Sequence, residues 1–162
     1  MAGLRTQKRR RRENKTDYKL RKGLLESGVS RIVVRRTNKY FILQAVESVE
    51  SQDKIKFSVT SRDLIKVGWD KKMSGSLKSI PAGYLTGIML AKKIGKGKFI
   101  IDLGMARTLA GSRVFAVVRG LIDGGLNINA NDAVFPSEER LNGEHLKPEV
   151  KEMIKKVKEK LI

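Results

Sequence analysis

The most distinctive chemistry in this chain belongs to four consecutive arginines, Arg9 to Arg12. A buried arginine loses its hydration and needs a carboxylate partner, which four neighbours in a row cannot all find inside a domain. The run therefore either stays solvated or binds an anionic surface. The first 40 residues hold 14 Lys/Arg and 3 Asp/Glu, a net charge of +11, and residues 41 to 162 hold 21 and 14, a net charge of +7.

A second basic cluster favours a binding segment over a solvated tail. It is separated from the first by sequence with a helical pattern, so positive charge recurs within the folded part of the chain. Two clusters divided by structured sequence favour a polyanionic partner, and nucleic acid is the first choice. The second cluster consists of Arg31, Arg35, Arg36 and Lys39.

Composition excludes most catalytic and metal-binding chemistry. The chain has no cysteine and one histidine, His145, which we expect at the surface. Disulfides, thiolate metal sites, cysteine nucleophiles and histidine-based triads are therefore excluded. We expect no catalytic residue, no metal site and no cofactor. Carboxylates of the second half are interpreted as helix-surface and capping groups: Asp123, Asp132, Glu138 and Glu139.

The totals indicate one folded domain. The chain has 162 residues, of which 40% are hydrophobic, enough to bury a core. Its pI of about 10.4 indicates an anionic binding partner and carries no information about the fold. The start lacks the apolar segment of a secretory signal, and the longest mostly apolar run, Tyr84 to Ala91, is too short to span a bilayer. We therefore expect a cytoplasmic protein with no membrane partner.

The first structured element is predicted to be an amphipathic helix from Thr16 to Ser27, with Thr16 as its N-cap. Leu20 and Leu24 are four residues apart and form the predicted packed side, opposite a side of lysines. Tyr18 on this helix either stacks on a base or packs against the body. Residues 1 to 15 carry almost no apolar groups and are predicted to be flexible when the protein is alone.

A hairpin is predicted next, because two segments rich in Ile, Val and Phe flank a short polar turn. With Asn38 and Lys39 as the loop residues, Val34 lies opposite Leu43 and Arg35 lies on the more polar side of the sheet. The predicted strands are Arg31 to Arg36, Tyr40 to Val46 and, after a second polar turn, Ile55 to Thr60.

Later sequence predicts helices around one further strand. Phe99 to Leu103 is short and nearly all apolar, which indicates a buried parallel or central strand. Gly83 and Gly87 indicate that their helix closely approaches a neighbour, and Trp69 is expected in the core. The predicted helices are Ala82 to Ile94, Ser112 to about Leu126, a short one beginning at Pro136, and Pro148 to Ile162, which is marginal alone and must dock on the body.

This order of elements predicts a single α/β domain. Its mixed sheet begins with three antiparallel strands and continues with βα units, a ribonuclease-H-like topology. A nuclease of that topology needs converging carboxylates, whereas the first strand here carries arginines, so a metal-dependent nuclease is kept only as an alternative. The predicted parts are a basic N-terminal extension over residues 1–15, an α/β domain over 16–135 and a helical tail over 136–162.

The loop from Gly104 to Gly111 has two open interpretations. It runs from a strand into a helix, the order that aims helix N–H groups at a phosphate, but it lacks the Lys and Ser/Thr ending of a nucleotide-binding loop. It is either an anion site flanked by Arg107 and Arg113 or a plain connection. Gly95 to Lys98 lies after a helix and before a strand, so it is interpreted as a tight basic turn.

Ordered motifs along residues 7 to 140 resemble the large-subunit ribosomal protein that binds 5S ribosomal RNA. This family is called the eighteenth large-subunit protein in bacteria and archaea and the fifth in eukaryotes. Thr16-Asp17-Tyr18 is similar to the archaeal and eukaryotic branch. The motifs are Arg9 to Glu13, Thr16-Asp17-Tyr18, Ser27-Gly28, Arg31 to Arg35, Thr37-Asn38-Lys39, Gly68-Trp69, Ala82 to Gly87, Asp102-Leu103-Gly104, Gly111 to Ala116 and Gly120 to Leu126.

The resemblance implies a non-catalytic α/β protein that binds 5S ribosomal RNA in the central protuberance of the large subunit. It implies 23S-type ribosomal RNA and the other 5S-binding ribosomal protein as neighbours. A general structured-RNA-binding protein is the alternative. Carried over by position, the RNA-contact candidates are Arg9, Arg10, Arg11, Arg12, Lys15, Tyr18, Arg21, Lys22, Arg35, Asn38, Lys39, Arg107 and Arg113.

Overall fold

The computed structural model describes residues 6–50 and 52–161. It contains four strands: β1 (Arg31–Arg36), β2 (Phe41–Val49), β3 (Gln52–Thr60) and β4 (Ile100–Asp102). The helices are α1 (Arg9–Arg12), α2 (Tyr18–Glu26), α3 (Leu64–Val67), α4 (Ile80–Ile94), α5 (Arg113–Asp123), α6 (Glu138–Asn142) and α7 (Pro148–Leu161). Short 3-10 segments cover Ser61–Asp63, Lys71–Ser76 and Asp132–Val134. The single α/β domain and its helical C-terminus are confirmed.

The hairpin between β1 and β2 has the predicted register. Val34 lies opposite Leu43, and the N–H of Thr37 donates to the carbonyl of Tyr40 at 2.9 Å. Asn38 and Lys39 are therefore the loop residues. Since side chains alternate along a strand, this register places Val34 in the core and leaves Arg35 on the opposite face.

The strand β3 is longer than predicted and starts at Gln52 rather than Ile55. Gln52 pairs with Val49 of β2 across a tight turn, in which Glu50 takes a positive φ of 50°. The polar residues that were interpreted as a turn therefore pair in the ladder, because an exposed strand end accepts polar side chains. Ile55 and Phe57 of this edge strand are 53% and 41% exposed.

The sheet order is β3-β2-β1-β4. The strand β4 runs parallel to β1, with Ile101 opposite Ile32, which confirms the parallel pairing. The prediction that this segment is central or buried was wrong, since β4 has three residues, lies at the edge, and leaves Ile100 and Ile101 half-buried. An apolar run indicates that a strand is partly covered. It does not show whether the strand pairs on one side or on both, since that depends on the rest of the sheet.

The core lies between one face of the sheet and the pair α4 and α5. Residues Ile80 to Ala91 of α4 are buried. The prediction of a close approach at Gly87 is confirmed, since a Cβ there would overlap the carbonyl oxygen of Val117 in α5. On α5, a Cβ at Gly120 would overlap the carbonyl oxygen of Tyr84. The two helix backbones are therefore in direct contact.

The C-terminal helix α7 docks on the body, as its marginal length required. Ile154, Val157 and Leu161 are buried against the core, and α7 contacts α3, α4 and α6. Trp69 is 2% exposed, which confirms its place in the core.

For the first amphipathic helix, the predicted N-cap was wrong and the predicted packing is only partial. Asp17, not Thr16, is the N-cap of α2, and its carboxylate accepts hydrogen bonds from the N–H groups of Lys19 and Leu20 at 2.9 and 3.2 Å. The predicted packed side is only partly packed, because Leu24 is half-buried, Leu20 is 45% exposed and no residue of the helix is fully buried. Four-residue spacing creates an apolar stripe but does not guarantee a surface to bury it.

Candidate nucleic-acid interface

The parallel pairing of β1 with β4 places two candidate loops at one edge of the sheet. Carboxyl ends of parallel strands lie at the same edge, so the hairpin loop after β1 and the loop after β4 open on the same side. The first carries Asn38 and Lys39, and the second carries Arg107 and ends at Arg113. Asn38 and Arg107, which are 69 positions apart in sequence, thus belong to one edge.

Arg35 joins the two strands at this edge. Its guanidinium donates to the carboxylate of Asp102 at 3.0 Å, to the backbone carbonyl of Asp102 at 2.8 Å and to that of Val34 at 3.0 Å. The carboxylate of Asp102 also accepts from the N–H of Gly104 at 2.8 Å. Gly104 has a φ of +60°, and a Cβ there would lie 2.8 Å from the Cζ of Arg35. The positive φ favours glycine at this position, and the guanidinium lies against its backbone.

The N-terminal basic segment folds back beside Arg35. Arg10 donates from Nε to the hydroxyl of Thr16 at 2.9 Å, and the N–H of Lys15 donates to the carbonyl of Arg10. Arg10, Lys15, Arg21 and Arg35 together line a cleft of about 120 Å³ that also includes Asp102 and Gly104. Four of the predicted RNA-contact residues therefore meet around one cleft.

The loop after β4 meets the same N-terminal segment. Met105 lines a cleft of about 230 Å³ together with Arg11, Asn14 and Asp17. Met105 and Leu109 are 53% and 64% exposed, so apolar groups lie among the basic ones. Sequence reasoning missed these two residues, and the only available signal was the unusual presence of large apolar side chains in a loop beside Arg107.

Several predicted contact residues have a carboxylate partner within the chain. Such pairs are exposed for the most part, and exposed pairs contribute little stability. The pairs are Arg9–Glu13 at 3.3 Å, Arg11–Asp17 at 3.9 Å, Lys15–Glu13 at 2.8 Å, Arg21–Asp53 at 3.2 Å, Lys22–Glu26 at 3.4 Å and Arg35–Asp102 at 3.0 Å.

Four predicted cations are exposed and have side chains with neither a hydrogen bond nor an ion pair among residues 6–50 and 52–161: Arg12, Lys39, Arg107 and Arg113. Arg113 begins α5, and the N-cap of that helix, Ser112, makes no capping hydrogen bond with its side chain. These positions are the most available to an external anion. The two clefts bring none of these four cations together, and they do not include Asn38.

The ring of Tyr18 is covered on one side by a cation. The ammonium of Lys8 lies 4.6 Å from the ring centroid. Tyr18 is half-buried rather than part of the core. Lys8 was outside the predicted contact set, although it directly precedes the arginine run.

Arg31 does not belong to the basic surface, although it was grouped with the second cluster. Its side chain is 4% exposed, pairs with Asp53 at 2.7 Å and lies 3.8 Å from Asp102. The hydroxyl of Ser48 is a further partner of its guanidinium. Arg31 is therefore a structural cation. Sequence could not show this, because the carboxylates that surround it come from β3 and β4.

The carboxylates of the second half are engaged in structural contacts. Asp123 accepts a hydrogen bond from the hydroxyl of Tyr84 at 2.9 Å and pairs with Arg119 at 3.1 Å. Burial, reinforced by Asp123, raises the pKa of Tyr84 above its ordinary value. Within the described ranges, no group of three or more His, Asp or Glu side chains is placed to hold a metal ion. No helix in those ranges is long and apolar enough to cross a bilayer.

Comparison with known proteins decides among the classes of RNA-binding protein. The model of the ribosomal large-subunit proteins 60S L5 and 50S L18 matches residues 3–98, more than half of the chain. The chain belongs to this family. Membership confirms the resemblance read from the motifs.

Archaeal relatives extend the similarity. The large ribosomal subunit protein uL18 of Methanoregula boonei is 43% identical over 141 residues, covering 85% of this chain and 79% of that protein. The uL18 of Methanoculleus marisnigri is also 43% identical over 141 residues, with 85% and 78% covered. The uL18 of Korarchaeum cryptofilum is 41% identical over 141 residues, covering 85% of this chain and 70% of that protein.

Family membership settles the broad function. The chain is a protein of the large ribosomal subunit, with ribosomal RNA as its partner and the ribosome as its location. Proteins of this family are structural components, so the prediction that the chain is not an enzyme is confirmed and the nuclease alternative is rejected.

Proposed function

We propose that this ribosomal protein binds 5S ribosomal RNA and anchors it in the central protuberance of the large subunit. The observation that carries the proposal is the meeting of the N-terminal basic segment, Arg35 and the loop after β4 around one edge of the sheet. Its neighbours there are 23S-type ribosomal RNA and the other 5S-binding ribosomal protein. The family resemblance supplies the choice of RNA, which charge alone does not give.

The proposed contacts divide into two kinds. Exposed cations of the N-terminal segment neutralise phosphates and give affinity without sequence preference. Arg35 is fixed by Asp102 and by the backbone of β4, so it presents a rigid group to one RNA shape. The proposed contact residues are Arg9, Arg10, Arg11, Arg12, Lys15, Tyr18, Arg21, Lys22, Arg35, Asn38, Lys39, Arg107 and Arg113.

A salt titration with two RNAs tests the choice of partner. Because rising salt weakens phosphate contacts most, the shape-dependent part of binding is best measured at about 0.3 M monovalent salt. We expect 5S ribosomal RNA to be retained on the immobilised protein at this salt, and transfer RNA of similar fold complexity to be washed off. Equal retention of both RNAs at every salt concentration would leave only a general RNA-binding protein.

A further inference from the structure

Five side chains of alternating charge form a connected network between α2 and the sheet. The Arg21 guanidinium bonds to Asp53, Asp53 pairs with Arg31, Arg31 lies near Asp102, and Asp102 pairs with Arg35. The distances along this order are 3.2, 2.7, 3.8 and 3.0 Å. Two proposed contact residues, Arg21 and Arg35, are therefore held at the ends of one network.

Asp53 uses its two oxygens for different tasks. Its Oδ1 accepts from the Arg31 guanidinium and from the hydroxyl of Ser48, both at 2.7 Å. Its Oδ2 accepts from both terminal nitrogens of Arg21 at 3.2 Å. One oxygen thus satisfies a buried cation of the sheet while the other holds a cation of α2. The carboxylate is a bridge between the two.

The buried partner keeps Asp53 ionised and in place. Arg31 is 4% exposed, and a buried guanidinium without a carboxylate is strongly unfavourable. Partial burial by itself raises the pKa of Asp53, but hydrogen bonds from Arg31, Ser48 and Arg21 outweigh it and lower that pKa to about 2. At neutral pH the bridging carboxylate is therefore charged and fixed by the sheet.

The helix α2 depends on this bridge because it has little apolar anchorage. None of its residues is fully buried, Leu24 and Leu25 are half-buried, and Leu20 is 45% exposed. Among the described residues, no hydrogen bond or ion pair other than Arg21–Asp53 joins a side chain of α2 to the sheet. The N-terminal basic segment leads directly into α2, so the orientation of the helix also decides where Arg9 to Arg12 lie.

We infer that Asp53 is a positioning residue, which fixes α2 and the basic segment before it in the orientation that RNA recognises. The inference rests on the proposed RNA-binding function for its consequence, but the tether itself is a property of the free protein. A carboxylate on a polyanion-binding protein ordinarily weakens binding, so its removal ordinarily raises affinity. If Asp53 is a positioning residue, removing its carboxylate should instead lower the affinity for RNA. The untethered helix would then have to be ordered when RNA binds, which costs free energy.

The test compares Asp53→Asn with Glu47→Gln. Glu47 is an exposed carboxylate of β2 that pairs with Lys56 at 2.9 Å and, within the described ranges, forms no ion pair with a proposed contact residue, so it is a matched loss of one negative charge. Amide hydrogen exchange in the free protein reports how firmly α2 is held. We expect Asp53→Asn to speed exchange in α2 with exchange in α4 unchanged, and Glu47→Gln to change neither. Asp53→Glu, which keeps the charge, should restore slow exchange.

Affinity for 5S ribosomal RNA is the second measurement. We expect Asp53→Asn to weaken binding by about threefold to tenfold, the size of a modest ordering penalty, and Glu47→Gln to leave it equal or slightly tighter. Unchanged exchange in α2, or a gain of affinity equal to that of Glu47→Gln, would overturn the inference. Failure of the wild-type protein to bind 5S ribosomal RNA would instead reject the proposed function, and the exchange result would still decide the tether.

A second variant covers the case in which Asp53→Asn fails to fold because Arg31 loses its partner. Arg21→Ala leaves the pair between Arg31 and Asp53 intact and removes only the link to α2. Faster exchange in α2 with unchanged exchange in α4 supports the tether. Slow exchange in α2 of this variant overturns it.

Discussion

The two faces of the sheet are stabilised by different interactions. On one face, α4 is buried from Ile80 to Ala91, and glycines bring its backbone into contact with α5. On the other, α2 has no buried residue and is joined to the sheet by the Arg21–Asp53 pair. Apolar packing is not screened by salt, whereas exposed ion pairs are weakened by it. The first face therefore maintains the fold, whereas the orientation of α2 on the second face depends on charge pairing.

Truncation of one leucine in α4 and one in α2 should have very different effects on stability. Leu85 of α4 is fully buried, so Leu85→Ala should destabilise the protein by about 2–5 kcal/mol through lost transfer energy and a residual cavity. Leu20→Ala on α2 is the matched control and should change stability by about 0.5 kcal/mol or less. Urea unfolding measures both, and equal losses would show that α2 is packed as firmly as α4.

Removing the basic segment should affect binding and not folding. Deletion of residues 1–15 removes no buried side chain among those described, so the melting temperature should stay nearly constant. Affinity for 5S ribosomal RNA should fall by at least about tenfold at physiological salt, and the slope of log K against log salt should become shallower by roughly 3, for about four lost phosphate contacts.

The control for this deletion is Lys155→Ala with Lys156→Ala on α7. This double variant removes two exposed lysines from a helix that packs against α3, α4 and α6, away from the N-terminal basic segment. Its salt slope should match that of the wild type. If the deletion left the slope unchanged, the N-terminal arginines would remain solvated in the complex.

The smallest predicted effect is a pH-dependent contribution of Asp53. The pKa of this carboxyl is about 2 in the folded protein against 3.8 when unperturbed, so its stabilisation is complete above about pH 4 and is lost as the pH falls towards 2. Because the side chain is 34% exposed, the contribution is screened to the order of 1 kcal/mol. The free energy of unfolding of the wild type minus that of Asp53→Asn should shrink over this range, and a constant difference would contradict the assignment.

Much of the fold followed from local pattern. The alternation of apolar residues around Asn38 and Lys39 determined both the register of the hairpin and the face on which Arg35 lies. Glycines at four-residue spacing in α4 indicated a close helix contact. These features depend on neighbours within a few residues, whose geometry is set by strand and helix periodicity. The two basic clusters likewise favoured a polyanionic partner, because the charge of the arginine run cannot be buried.

Whether an arginine is buried in an ion-pair network or exposed at the surface depends on the tertiary structure. Arg31 and Arg35 are four residues apart on one strand, and their sequence surroundings are alike. Arg31 is buried because Asp53 and Asp102 arrive from β3 and β4, whereas the Arg35 side chain remains 42% exposed with Asp102 as its carboxylate partner. Whether a charge is structural or available depends on which opposite charges the fold brings within a few ångströms. Those partners are tens of residues away in sequence, so no local pattern reveals them.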